Sequence, residues 1–206
     1  MIAIHKKGKT FFTSLPFLLS GLGLVVVVFL NFSMYIFLAL QFFTLFLLFY
    51  LAYKQKHGQE RMLFLKIIKI GFIAGIFATA GYDLIRLLIV TIFHFKIRPF
   101  DTFKFFGQII MSRPVSDNTA YTVGFMYHLL NGITFGIAYF ILFNGKHWVY
   151  GIVWAFVLEL MMLCVYPRFL NLQSVMEEFT IVSCSGHTVY GSILGFINFY
   201  YFKKLK

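Results

Sequence analysis

The hydrophobic pattern of this chain is a series of long apolar runs with few interruptions. No charged residue occurs from Phe11 to Tyr53. A helix rises 1.5 Å per residue and needs about 20 apolar residues to cross a bilayer. This run therefore predicts two spans with a tight turn near Asn31, Phe32 and Ser33. Phe, Leu and Val lie on all sides of both, which predicts a peripheral helical hairpin over residues 1–53. Lys54 to Lys69 reads as a basic connection. Later runs predict spans at about residues 70–93, 120–143, 147–166 and 175–202. Asn144 and Gly145 mark a short turn, and Ser174 with Glu177 has the form of a capping box opening the last helix. Between Pro99 and Pro114, Asp101 to Met111 sets Phe103, Phe106 and Ile110 at helical spacing. That predicts a short interfacial helix within an outer segment, 99–114, placed as a lid over whatever lies between the spans.

Composition fixes the class. The 206 residues are 60% hydrophobic and 12% charged, with a mean hydropathy of +0.84, whereas soluble domains average about 25% charged residues. The expected fold is all-α: a polytopic integral membrane protein forming a single transmembrane domain over 1–206. It has about six transmembrane helices, with a four-helix core (third to sixth spans, 66–202) beside the peripheral hairpin. Six spans put both termini on one side, where 12 Lys and Arg residues fall against 5 on the other, with Arg86 inside the membrane. The positive-inside rule then places both termini on the cytoplasmic side of the cell membrane. The net charge of +11 is explained by this distribution and does not call for nucleic acid. The early Lys6, Lys7 and Lys9 precede an apolar run without a small-residue cleavage site, so an uncleaved first span is expected. Two cysteines, Cys164 and Cys184, make no disulfide framework.

Polar residues inside the spans carry the functional signal. His128, Gly132 and Gly136 repeat at four-residue spacing, as do His187, Gly191 and Gly195, so each set lines one side of a helix. Gly71, Gly75, Thr79 and Asp83 form a similar stripe, and so do Gly151, Ala155 and Glu159. By helical rise, Asp83, His128, Glu159 and His187 all fall about 10–15 Å from the outer ends of their spans. Small residues let membrane helices approach closely. The expected core is pinched towards the cytoplasm and open outward, with these four side chains lining the opening. Asn131 shares the face of His128, and Arg86 lies one turn from Asp83.

At these residues the chain resembles small bacterial multispanning membrane proteins grouped as domains of unknown function. The motifs are Ala78 through Asp83, Tyr127-His128 with Asn131, Gly132 and Gly136, and Gly186-His187 with Tyr190, Gly191 and Gly195. The resemblance covers the third to sixth spans and implies membership of a membrane family without supplying an activity. The chemistry of the residues leads to a metal-dependent enzyme acting on a lipid or isoprenoid. His128, His187 and Glu159 would hold Zn or Fe, and Glu159 or Asp83 would serve in catalysis, with Asn131 and Arg86 in support. The alternatives are a proton- or solute-coupled transporter or channel, a b-type haem protein with His128 and His187 as axial ligands, and a scaffold subunit.

Overall fold

A computed structural model describes residues 13–21, 23, 30, 33–169 and 173–204, and for 166–169 the helix alone. Asn31 and Phe32 of the expected turn, and the basic cluster at Lys6 to Lys9, lie outside the described residues. Within them the chain is all-helical, with no strand. Helical residues 13–21 (α1) come first. Then follow α2 (Met34–Lys54), α3 (Gly58–Phe93), α4 (Asp101–Met111), α5 (Asp117–Leu142) and α6 (Val149–Phe169). A 3-10 turn at Gln173–Val175 leads into α7 (Met176–Lys203).

Three of these helices, α2, α3 and α5, are long and apolar enough to cross a membrane, and Val149–Val165 of α6 is a shorter apolar stretch. Polar residues dilute the apolar character of α7, and two of them, Ser183 and Asn198, are buried while Ile181 and Phe196 are exposed. Large apolar side chains such as Phe46, Phe77 and Leu160 stand more than half exposed. A surface of this kind suits hydrocarbon and fits a helical membrane protein.

Small residues decide how the helices pack. The contacts run from α5 to α3, from α3 to α7 and from α7 to α6, with α4 lying on α5. A Cβ placed on Gly75 would stand 2.7 Å from the Ile133 Cα, and one on Gly136 would stand 2.8 Å from the Gly75 Cα. At the α6–α7 crossing, a Cβ on Gly191 would overlap the Gly151 carbonyl and lie 2.8 Å from the Ala155 Cβ. Backbones touch at both crossings, which larger residues would prevent. Near the Asn144–Gly145 turn, α5 and α6 meet through Tyr139 and Phe143, whose rings lie 6.4 and 6.0 Å from that of Trp154. Asn198 of α7 clamps this turn: its Oδ1 accepts from the Gly145 N–H at 3.2 Å and its Nδ2 donates to the Phe143 carbonyl at 2.7 Å.

The expected short helix between the two prolines is found at Asp101–Met111, its Phe103, Phe106 and Ile110 buried. Its glycine contacts with α5 are as close as those of the core: a Cβ on Gly107 would overlap the Ala120 carbonyl, and one on Gly124 the Phe103 carbonyl. The Tyr121 hydroxyl donates to Asp101 Oδ1 at 2.9 Å, and Lys104 Nζ reaches Asp117 Oδ2 at 2.6 Å. The hydrogen bond to the Asp117 carboxylate holds the Lys104 ammonium above its ordinary value. On the lysine side this solvent-exposed bridge therefore persists through neutral pH and is lost as pH rises through the alkaline range.

Three features differ from expectation. The N-terminal pair divides: α2 buries only Met34 and Gln41, but α1 packs into the core. Phe17 is buried, Ser20 Oγ bonds Thr134 Oγ1 at 2.6 Å, and the Tyr127 hydroxyl donates to the Ser20 carbonyl at 2.9 Å. The basic connection is mostly helix, because Phe64 and Ile67 continue the buried stripe of Gly71, Ala74 and Ala78 backwards and draw the first turns of α3 out of the loop. The capping box does not form. Val175 is the N-cap residue and its side chain makes no cap, since the preceding 3-10 turn takes up Ser174.

The crossings predict a graded response to added methyl groups. Gly75→Ala and Gly191→Ala each place a Cβ against backbone and should cost about 1–3 kcal/mol. Gly81→Ala should cost less, because its Cβ meets the end of the flexible Ile193 side chain at 2.5 Å. Thermal unfolding in detergent checks the order; equal losses at all three positions would contradict it.

Candidate functional site

The close crossings continue into the ionisable residues. Along α3, Gly71 faces Ile137 of α5, Gly75 faces Ile133, and Thr79 lies against Gly132, where a Cβ would overlap its hydroxyl. One turn further, Asp83 Oδ2 meets His128 Nε2 at 3.1 Å. The α6–α7 crossing follows the same rule. Gly151 lies against Gly191 and Gly195, Ala155 lies against Gly191, and one turn further Glu159 Oε2 meets His187 Nδ1 at 2.7 Å. Four-residue spacing on both partners thus delivers an acid to a histidine twice. The four residues expected in one cluster form two pairs.

Each pair has its own surroundings. Asp83 also accepts from Arg86 Nη1 at 3.3 Å, while Arg86 Nη2 donates to the Pro99 carbonyl at 2.6 Å. Arg86 is 5% exposed, its guanidinium lies 4.9 Å from the Tyr82 ring, and its Nε has no hydrogen-bond partner. Glu159 is 1% exposed. Its Oε2 also accepts from the Ser183 hydroxyl at 2.8 Å, and Cys184 Sγ stands 3.7 Å from its Oε1. His187 Nδ1 lies 3.1 Å from the Ser183 carbonyl as well. A carbonyl only accepts, so Nδ1 carries the proton and Nε2 is left with its lone pair. An ionised Asp83 likewise only accepts, so Nε2 of His128 carries its proton and Nδ1 is left free.

A partly open cavity of about 490 Å³ is lined by α5 and α6 together with residues of α1, α3, α4 and α7. Its wall is mostly apolar, with Leu18, Phe106, Phe135 and Met161 among its residues, and both imidazoles line it. Phe103 of α4 covers the His128 ring at 4.9 Å between centroids, so α4 forms part of the cavity wall there. Asn131 and Trp154 also line the cavity, and Asn131 Oδ1 and Trp154 Nε1 are buried without a hydrogen-bond partner. Groups of this kind cost free energy until something satisfies them. Asp83 and Glu159 are not part of the wall; each stands behind its histidine.

The expected metal set of His128, His187 and Glu159 is not assembled. Among the described residues no three of His, Cys, Asp and Glu are gathered to hold a metal ion. The physical reason is the pairing, since each imidazole gives one nitrogen to the carboxylate of its neighbouring helix. Tyr82 of α3 also packs against both imidazoles, at 5.7 Å from His128 and 5.0 Å from His187. Arg86 does pair with Asp83, and Asn131 does share the site with His128, as their spacing implies. Cys164 and Cys184 are free thiols.

Sequence reasoning missed Trp154, the α1 leucines and the place of Tyr82 between the two imidazoles; Phe103 it assigned only to the lid helix. A signal for α1 existed in its polar residues: Ser14 and Ser20 are both fully buried, so they mark the face turned to the protein. The chain matches no family model, no curated protein and no solved structure. Function therefore has to be read from the chemistry of the site.

Burial of Glu159 makes its role in holding the helices measurable. Glu159→Gln keeps an oxygen acceptor for Ser183 and His187, whereas Glu159→Leu removes it. The leucine variant should be less stable than the glutamine variant by about 1–3 kcal/mol in denaturation measurements. Equal stability would show that the carboxylate is not the acceptor these donors depend on.

Proposed function

We propose that this chain is a six-span membrane protein, with both termini cytoplasmic, that takes a lipid-like molecule into its cavity and acts on it by proton transfer. The observation that carries this reading is the pair of imidazoles lining one apolar chamber, each with one nitrogen on a carboxylate and the other unbonded. The apolar wall suits a hydrocarbon body. The unpartnered Asn131 and Trp154 atoms suit a polar atom carried on it.

In this mechanism His187 accepts a proton at Nε2 as a neutral imidazole, and His128 gives one from Nδ1 in its imidazolium form, its Nε2 proton staying in the bond to Asp83. Glu159 and Asp83 are positioning residues. Each fixes the tautomer of its imidazole and offsets the positive charge that arrives on it, as a carboxylate behind a histidine does in hydrolytic triads. The catalytic and ligand roles first expected are thereby exchanged. A metal-dependent version needs a third donor to join two of those present. A transport version needs the glycine crossings beyond Thr79 to separate, and the contacts there are backbone on backbone, with no side chain to swing aside. Both considerations favour the acid–base reading.

The test uses purified protein in nanodiscs, incubated with a bacterial lipid extract and followed by mass spectrometry, with metal content measured on the same sample. Wild type should convert one lipid species, and His128→Gln and His187→Gln should each slow that conversion by about 10²- to 10⁴-fold. Glu159→Gln should retain bound lipid yet change the pH profile of the rate. An unchanged lipid profile with wild type would remove the proposal. Conversion abolished by chelators and restored by Zn or Fe would return the site to metal chemistry.

A further inference from the structure

A second cavity of about 470 Å³ adjoins the first at the outer end of the helices. Arg86, Thr102 and Phe179 belong to the walls of both, so the two chambers are neighbours across these side chains. Their chemistry differs. The inner chamber is apolar with the imidazoles in its wall, whereas Lys96, Arg98 and Arg86 line the outer one. Of the acids nearby, Asp101 lines the outer chamber and is engaged by the Tyr121 hydroxyl. Asp83 is held by Arg86 and His128. Glu178 accepts from the backbone N–H groups of Lys96 and Ile97 at 2.8 and 3.0 Å. Those hydroxyl and backbone donors leave the carboxylate charges in place, but Lys96 and Arg98 have no ion-pair partner among the described residues, and the wall itself carries three cations against one carboxylate.

The chamber is also built rather than incidental. The loop that carries Lys96 and Arg98 is fastened to α7 through Glu178 and to α3 through the Arg86 bond to the Pro99 carbonyl. Arg86 is buried at the boundary with its Nε unpartnered. Burying a cation with an unused donor is costly unless an acceptor completes it. Guanidinium groups match phosphate oxygens in geometry and charge, and a lysine adds a point charge.

Building on the reading that the inner chamber holds a lipid-like molecule, we infer that this molecule carries a phosphate head group. The head sits among Arg86, Lys96 and Arg98, and the apolar chain lies in the inner chamber beside His128 and His187. The chemistry shared by all candidates is a phosphate oxygen cluster, so a free phosphate has to be distinguished from a lipid phosphate.

Binding can be followed by the fluorescence of Trp154, which lines the inner chamber, with farnesyl phosphate, uncharged farnesol and inorganic phosphate as separate probes. Wild type should bind farnesyl phosphate at least about tenfold more tightly than farnesol, the effect of one charge-assisted hydrogen bond. The exposed double variant Lys96→Gln/Arg98→Gln should lose that preference while binding farnesol as wild type does. Equal binding of farnesol and farnesyl phosphate by wild type would overturn the head-group inference and leave the lipid chamber standing. Inorganic phosphate displacing farnesyl phosphate at comparable concentration would mark a free-phosphate site and also overturn it. Binding of neither farnesyl compound would overturn the lipid reading itself.

Discussion

Backbone contact between helices sets the position of everything else in this molecule. Where Gly75 meets Gly136, and Gly151 meets Gly191 and Gly195, the helices leave no room for a Cβ between their backbones. Lipid offers no hydrophobic gain for bringing helices together, so close packing and polar contacts must supply the attraction. A crossing this tight fixes both the separation and the register of its partners. The residues one turn further along, Asp83 with His128 and Glu159 with His187, then meet at hydrogen-bond distance. The same crossings close the molecule at the Asn144–Gly145 end and leave room at the other, where the cavity lies.

That geometry satisfies a second constraint. A carboxylate buried in a low-dielectric interior needs donors, and here each has at least two: Arg86 and His128 for Asp83, Ser183 and His187 for Glu159. Satisfying the acids uses one nitrogen of each imidazole and leaves the other without a partner, on a ring that lines the cavity. The acids are therefore shielded and the histidines are presented, which is the reverse of an arrangement in which carboxylates and imidazoles converge on an ion. Tyr82 completes the division by packing on both rings.

How much of this was legible in the sequence depends on which interaction set each feature. Helix positions and the short Asp101–Met111 helix followed from apolar runs, prolines and the spacing of Phe103, Phe106 and Ile110. The ionisable residues followed from their cost in apolar surroundings. Pairing did not follow, because depth along separate helices says nothing about which helices are neighbours; that Asp83 faces His128 and not His187 is decided by the α3–α5 crossing. The extension of α3 back to Gly58 was readable from Phe64 and Ile67, whose spacing continues the buried stripe, but the intervening lysines obscured it. The core position of α1 was hidden for a different reason: apart from the buried Ser14 and Ser20, its inward residues are leucines and a phenylalanine like those a lipid-facing helix carries.

The two halves of the site repeat a pattern, an acid on one helix and a histidine on the next core helix in the chain, yet they are not equivalent. Asp83 divides its charge between His128 and Arg86. The other partners of Glu159, the Ser183 hydroxyl and the Cys184 thiol, are neutral, so its charge is available to His187 alone. A positive charge arriving on His187 is thus better compensated than one on His128, which already has a guanidinium near its carboxylate. On the proposed acid–base reading this difference assigns a direction: neutral His187 accepts the proton, and His128, entering the step as imidazolium, supplies one from Nδ1. The asymmetry also places Arg86 at the join between the two chambers. There the charge that weakens the hold of Asp83 on His128 faces the pocket where an anionic head group would sit. A phosphate bound there would draw the guanidinium from Asp83 and return that carboxylate to His128. Head-group binding and proton transfer would in this way be coupled through one side chain.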